Sequence, residues 1–130
     1  MSEQVTKVDK PWGYELHWAK TERYVGKVIH IDAGHALSLQ YHNQKDETIY
    51  LASGRLLFEI KEGDELVKRE MKPGEAVHVT PKTVHRMTAI TDCDVFEVST
   101  PELNISFTDR AKIDGLIEKN RRRSRPAMQR

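Results

Sequence analysis

A chain of 130 residues is long enough for one domain with a real core and too short for two. Its 21 basic and 20 acidic side chains nearly cancel to a net charge of +1, so composition calls for no nucleic-acid or membrane partner. The single Cys93 excludes an intrachain disulfide framework and fits a reducing, cytoplasmic setting, and no run approaches a signal peptide or the roughly 20 apolar residues of a membrane span.

In chain order, short apolar or alternating runs rich in β-branched and aromatic residues predict strands at about 14–18, 24–32, 36–42, 47–53, 55–60, 66–71, 76–80, 84–90 and 94–100. Turn signals separate them: DAG, HNQKD, SGR, KEGDE, KPGE, TPKT and ITDCD. Regular spacing without intervening helices points to an all-β sandwich or barrel. After Pro101 the pattern changes. Thr108 or Asp109 can cap a short helix with Ile113, Leu116 and Ile117 on one side, weakened by Gly115, so residues 1–117 read as one domain with an N-terminal arm and a C-terminal helix. Residues 118–130 carry Lys119, Arg121, Arg122, Arg123, Arg125 and Arg130 against Glu118, and read as a flexible basic tail. A Gly-containing turn, a strand and a His occur at 34–42 and again at 74–85, as two similar halves of a jelly roll would produce.

Three polar side chains interrupt the apolar pairs Leu37/Leu39 and Ile49/Leu51. Gln40 and His42 are two apart on a predicted strand and so share a face. Glu47 opens the next strand across a loop and can meet them there. With His85 from the second half they form a mixed oxygen and nitrogen set suited to a divalent metal. Imidazole and carboxylate bind strongly and an amide oxygen weakly, so the site should keep open positions for water or substrate. The bland reading of the same residues is a hydrogen-bonded polar pocket or ordinary turn positions.

At these residues the chain resembles the cupins. Gly34, Gln40, His42, Glu47 and Gly54 follow the first motif, G-x5-H-x-H-x3,4-E-x6-G, and Gly74 and His85 follow the second. Thr80 stands at the second motif's proline, Lys82 at its glycine and Ala89 at its asparagine, departures that bear on turn geometry more than on ligands. Gln40 at the first ligand position, with KPWGYE at 10–15, LSLQYH at 37–42 and PKTVHR at 81–86, is similar to mannose-6-phosphate isomerases and to the C-terminal cupin domain of bifunctional GDP-mannose pyrophosphorylases. The resemblance implies a double-stranded β-helix and a homodimer. It also implies one metal ion on Gln40, His42, Glu47 and His85: zinc first, with manganese, iron, nickel or cobalt as alternatives. That group continues after EVSTPEL with a segment bearing a substrate-facing arginine, and here NISFTDRAKIDG leaves Arg110 out of register with it.

Other candidates follow from strand parity. Val25, Lys27, Ile29 and Ile31 share one face, which sends Lys27 inward as an acid/base or an anion holder, or as a stem that packs while its amine snorkels. Glu97 lies among Val95, Phe96 and Val98, as a general base or as a structural partner of Lys27 or Arg86. Arg86 follows a ligand, and alternation sends it to the opposite face unless the turn twists it towards a phosphate at the barrel mouth. His78 reads as a packed core histidine, His17, His30 and His35 as surface or edge residues, and Trp12 and Tyr14 as packing for the N-terminal strand. The expected function is metal-dependent chemistry on a sugar or sugar phosphate, first aldose/ketose isomerisation. An iron- or nickel-dependent dioxygenase and a non-catalytic sugar-binding module are the alternatives.

Overall fold

The computed structural model describes residues 4–101. The expected C-terminal helix and basic tail lie outside the described residues. Among the described residues nine strands run in chain order: β1 (Thr6–Lys10), β2 (Gly13–Lys20), β3 (Val25–Ile31), β4 (Glu47–Ser53), β5 (Leu56–Glu62), β6 (Glu65–Met71), β7 (Ala76–Val79), β8 (His85–Ala89) and β9 (Cys93–Ser99). They form a six-stranded sheet, β1-β2-β3-β9-β4-β7, and a three-stranded sheet, β6-β5-β8, all antiparallel. Ile29, Ile31, Ile49, Leu51, Leu56, Phe58, Met71, Met87 and Val95 fill one core, which is the jelly-roll arrangement.

Two expected boundaries change. β1 carries no strand signal, because Thr6–Lys10 is polar and exposed apart from the half-buried Val8; pairing with β2 from Thr6↔His17 to Lys10↔Gly13 supplies what propensity does not. Residues 36–42 form no continuous strand and touch β8 through two isolated bridges, Ala36↔Thr88 and Gln40↔His85. The segment still runs along β8 by backbone bonds: Leu37 N donates to Met87 O at 3.0 Å, and Gln40 and His85 exchange N–H···O bonds at 3.1 and 2.9 Å. It is an irregular edge of the smaller sheet, and it sets Gln40 directly opposite His85.

The two halves do echo one another. The turns before 34–42 and 74–85 each close with the same contact, His35 N to Asp32 O at 3.0 Å and Glu75 N to Lys72 O at 3.1 Å, around Gly34 and Gly74 at φ 81° and 94°. Gly54 is required for a different reason. At φ 94°, a Cβ there would clash with Asp92 O, where the connection from β4 to β5 passes against the β8–β9 turn. Lys82 takes φ 67° at the position where the second motif carries glycine, so the turn keeps its shape at a cost in backbone strain.

Register along the inner face of the large sheet sets the polarity of the interior. Ile31 pairs Cys93; Ile29, Val95 and Leu51 form the next row; Lys27, Glu97 and Ile49 the next; and Val25, Ser99, Glu47 and Val79 the last. The smaller sheet repeats the order, with Leu56↔Ala89, then Phe58↔Met87, then Ile60↔His85. One end of the barrel is therefore apolar, and the other collects the ionisable groups.

Candidate metal centre

A cavity of about 280 Å³ opens at the polar end. It is lined by Gln40, His42, Glu47 and His85, by Lys27, Lys45 and Glu97, and by Lys10, Trp12, Glu15 and Ser38 among others. The four expected ligands thus meet in one cavity, with His42, Glu47 and His85 buried. Three local features position them. Gln40 is bridged to β8 at His85, Glu47 opens β4 opposite Ser99 and Val79, and the loop carrying His42 is tied down by a bond from Lys82 N to His42 O at 2.6 Å. The His42 and His85 ring centroids are 6.1 Å apart, and His85 stacks on Phe58 at 6.2 Å.

His85 is oriented as a metal ligand is. Its Nδ1 lies 2.9 Å from Thr83 O. A carbonyl only accepts, so Nδ1 carries the proton, and a backbone carbonyl in this role fixes the ring of a metal-ligating histidine. Nε2 then faces Glu47 Oε1 at 3.1 Å. In the neutral ring these two lone pairs repel unless a cation or a second proton lies between them. Two imidazoles, one carboxylate and one amide oxygen are a donor set for a divalent ion such as zinc, so the residues fit the group. Without metal, burial works against the Glu47 charge, but the hydrogen bond that a doubly protonated His85 donates and the Lys45 ammonium outweigh it and lower its pKa to about 2.

Lys45 is a buried cavity-lining residue that the sequence reading missed. It comes from the HNQKD loop, yet it is only 7% exposed, and its Nζ lies 3.0 Å from Glu47 Oε2 and 3.2 Å from Glu97 Oε2. Periodicity assigns no face to a loop residue, so nothing in the local pattern sends this one inward.

Glu97 lines the cavity, but neither Lys27 nor Arg86 is its partner. Its Oε2 is engaged by Lys45 and accepts from Ser99 Oγ at 3.2 Å. Lys27 also lines the cavity and pairs with Glu15 at 3.6 Å, while His17 meets the same carboxylate oxygen at 2.8 Å. Burial works against the Glu15 charge; His17, Lys27 and Lys10 lower its pKa overall.

Arg86 does not line the cavity. Strand alternation carries it to the other face of the smaller sheet, where Nε and Nη2 donate to Glu59 at 3.0 and 3.3 Å, and this bidentate pairing removes it from the expected phosphate-binding role. His78, expected in the core, is exposed and pairs with Asp46 at 2.6 Å, because its place on β7 points away from the interior.

Trp12 packs against the core, and Tyr14 stacks on His30 at 4.9 Å. On the outside, ligand atoms of His30, Asp32 and Asp92 lie within 4.8 Å of one another, and His30 Nδ1 pairs with Asp94 at 2.8 Å. The Asp94 hydrogen bond raises the His30 pKa. Cys93 is fully buried, and burial pushes its thiol up to about 11, so it stays protonated.

Residues 27–99 match the family model described as "Cupin domain", which is more than half of the chain. The chain belongs to the cupin family. This cupin has the fold of KdgF from Halomonas sp., at 24% identity and a TM-score of 0.66 over 78% of this chain and 90% of that one. An RmlC-like cupin from Shewanella frigidimarina is similar at 17% identity and a TM-score of 0.67 over 78% and 87%. CapF, a capsular polysaccharide assembling protein from Staphylococcus aureus, matches at 16% identity and a TM-score of 0.65, over 81% of this chain and 30% of its own. At these identities the likeness is one of fold. No curated protein matches the chain significantly. Among the described residues, no helix is long and apolar enough to cross a membrane.

Proposed function

We propose that this cupin is a metal-dependent enzyme acting on a sugar or sugar phosphate, with aldose/ketose isomerisation as its reaction. The observation that carries the reading is the pose of His85: Nδ1 anchored on Thr83 O, and Nε2 turned to Glu47 Oε1 at 3.1 Å inside a cavity that Gln40 and His42 also line. Gln40, His42, Glu47 and His85 would hold the ion, with zinc the first choice because the reaction needs no redox change. The ion would supply Lewis acidity towards neighbouring hydroxyl and carbonyl oxygens.

The chain's own groups supply the rest. Lys27, with Lys10 nearby on the lining, offers cationic charge for an anionic substrate group. Glu97 is buried and oriented by Lys45 and Ser99, and its carboxylate can take a proton from one sugar carbon and return it to the next. Trp12 forms part of the cavity wall. A sugar substrate also suits the kind of material named for the capsular polysaccharide assembling protein that shares this fold. A homodimer is part of the proposal, on the family resemblance.

The test is a metal-defined assay across hexose and pentose phosphates with oxygen consumption followed in parallel. Zinc-restored interconversion without oxygen uptake supports the isomerase. Tightly held iron with substrate-dependent oxygen uptake would sink it in favour of a dioxygenase. Ligand-induced thermal stabilisation without turnover would leave a binding module.

A further inference from the structure

Lysine is almost never buried without a partner. Lys45 is 7% exposed and pairs with both Glu47 and Glu97, each 4% exposed. The arrangement divides Glu47 between two neighbours: Oε1 faces His85 and the expected metal, and Oε2 faces the ammonium. A buried ammonium and a divalent ion on one carboxylate repel each other, and more strongly than in water because the site is shielded. Of the other lysines on the lining, Lys27 pairs with Glu15, and Lys10 is exposed at the rim.

We infer that Lys45 is an internal counter-cation: when no metal is bound it offsets one of the two negative charges of the Glu47–Glu97 pair, and it sets the metal affinity of the site by competing for Glu47. The inference rests on the metal assignment proposed above. The loop placement suits the role. Lys45 is two residues from Glu47, so its flexible stem can withdraw the ammonium from Glu47 Oε2 while keeping Glu97, and the second carboxylate becomes the place where the displaced charge rests. The same arrangement explains how two buried acids sit in one cavity without metal.

The experiment is titration of metal-stripped full-length protein with zinc alone by calorimetry, with the melting temperature of each metal-free form measured alongside. Lys45→Met is expected to bind zinc at least tenfold more tightly than the unmodified protein, to melt lower without metal, and to recover when zinc is added. Lys45→Arg, which keeps the charge, should stay close to the unmodified affinity. Glu97→Gln should move the other way, to weaker zinc binding, because the ammonium then bears on Glu47 alone; it decides the matter if Lys45→Met does not fold without metal. Unchanged or weaker zinc binding in Lys45→Met, or stronger binding in Glu97→Gln, overturns the inference and leaves the metal site standing. Absence of zinc binding in all forms overturns both. Binding by Lys45→Met where the unmodified protein binds none supports the inference in its strongest form.

Discussion

The two ends of the barrel share strands and differ in which rows of the register they carry, with loop residues such as Lys45 added at one of them. At one end Ile31, Cys93, Leu51 and Leu56 are fully buried and apolar; at the other, Glu47, Glu97, Lys45 and His85 are nearly as buried and ionisable. The apolar end stabilises by burial and dispersion, at roughly 25 cal/mol per Å². The polar end stabilises only while its charges remain paired, because a buried charge left alone is strongly destabilising. The fold is therefore specified at one end and made chemical at the other, and perturbations should separate the two.

Leu51→Ala at the apolar end should have the largest effect on stability, about 2–5 kcal/mol in denaturant titration, because it opens a cavity in a packed row. Zinc binding by the fraction that remains folded should be unchanged. His42→Ala at the polar end should do the reverse: the barrel still folds, and zinc affinity falls by more than the ~10–100-fold typical of losing an outer-shell partner. Gln40→Ala should fall less than His42→Ala, since an amide oxygen is the weakest of the four donors; the opposite ranking in calorimetry would contradict the ligand roles.

Acid should then discriminate between the ends in the metal-free protein. Glu47 has an unfolded value near 4.5 and a folded value of about 2, so it adds stability above 4.5 that is lost as pH falls from 4.5 towards 2. Glu47→Gln should flatten that part of the stability profile, and Leu51→Ala should leave its slope intact. The smallest effect belongs to the turn: Lys82→Gly relieves the left-handed backbone at a cost in chain entropy, for a net gain of about 1 kcal/mol or less in thermal melting.

Much of this contrast is legible in the sequence because it rests on period and motif. Two-residue alternation sends Lys27 to the same face as Ile29 and Ile31, and the spacing of Gln40, His42, Glu47 and His85 brings them to one cavity. What is not legible depends on groups that periodicity does not rank. β1 is held by its partner strand, residues 36–42 keep backbone bonds to β8 without becoming a regular strand, and Lys45 turns inward from a loop to meet two carboxylates on different strands. The pairing of Arg86 with Glu59 also needed the structure, since alternation gives its face and not its partner.

The most direct test of the central claim, that the polar end holds a metal through His85 and its neighbours, is zinc content per chain after dialysis against zinc and then against metal-free buffer. It should be measured for the unmodified protein, His85→Ala and His30→Ala. The account predicts one zinc in the unmodified protein and in His30→Ala, and almost none in His85→Ala. Full zinc in His85→Ala together with loss in His30→Ala would place the ion on the outer His30, Asp32 and Asp92 group and contradict the account.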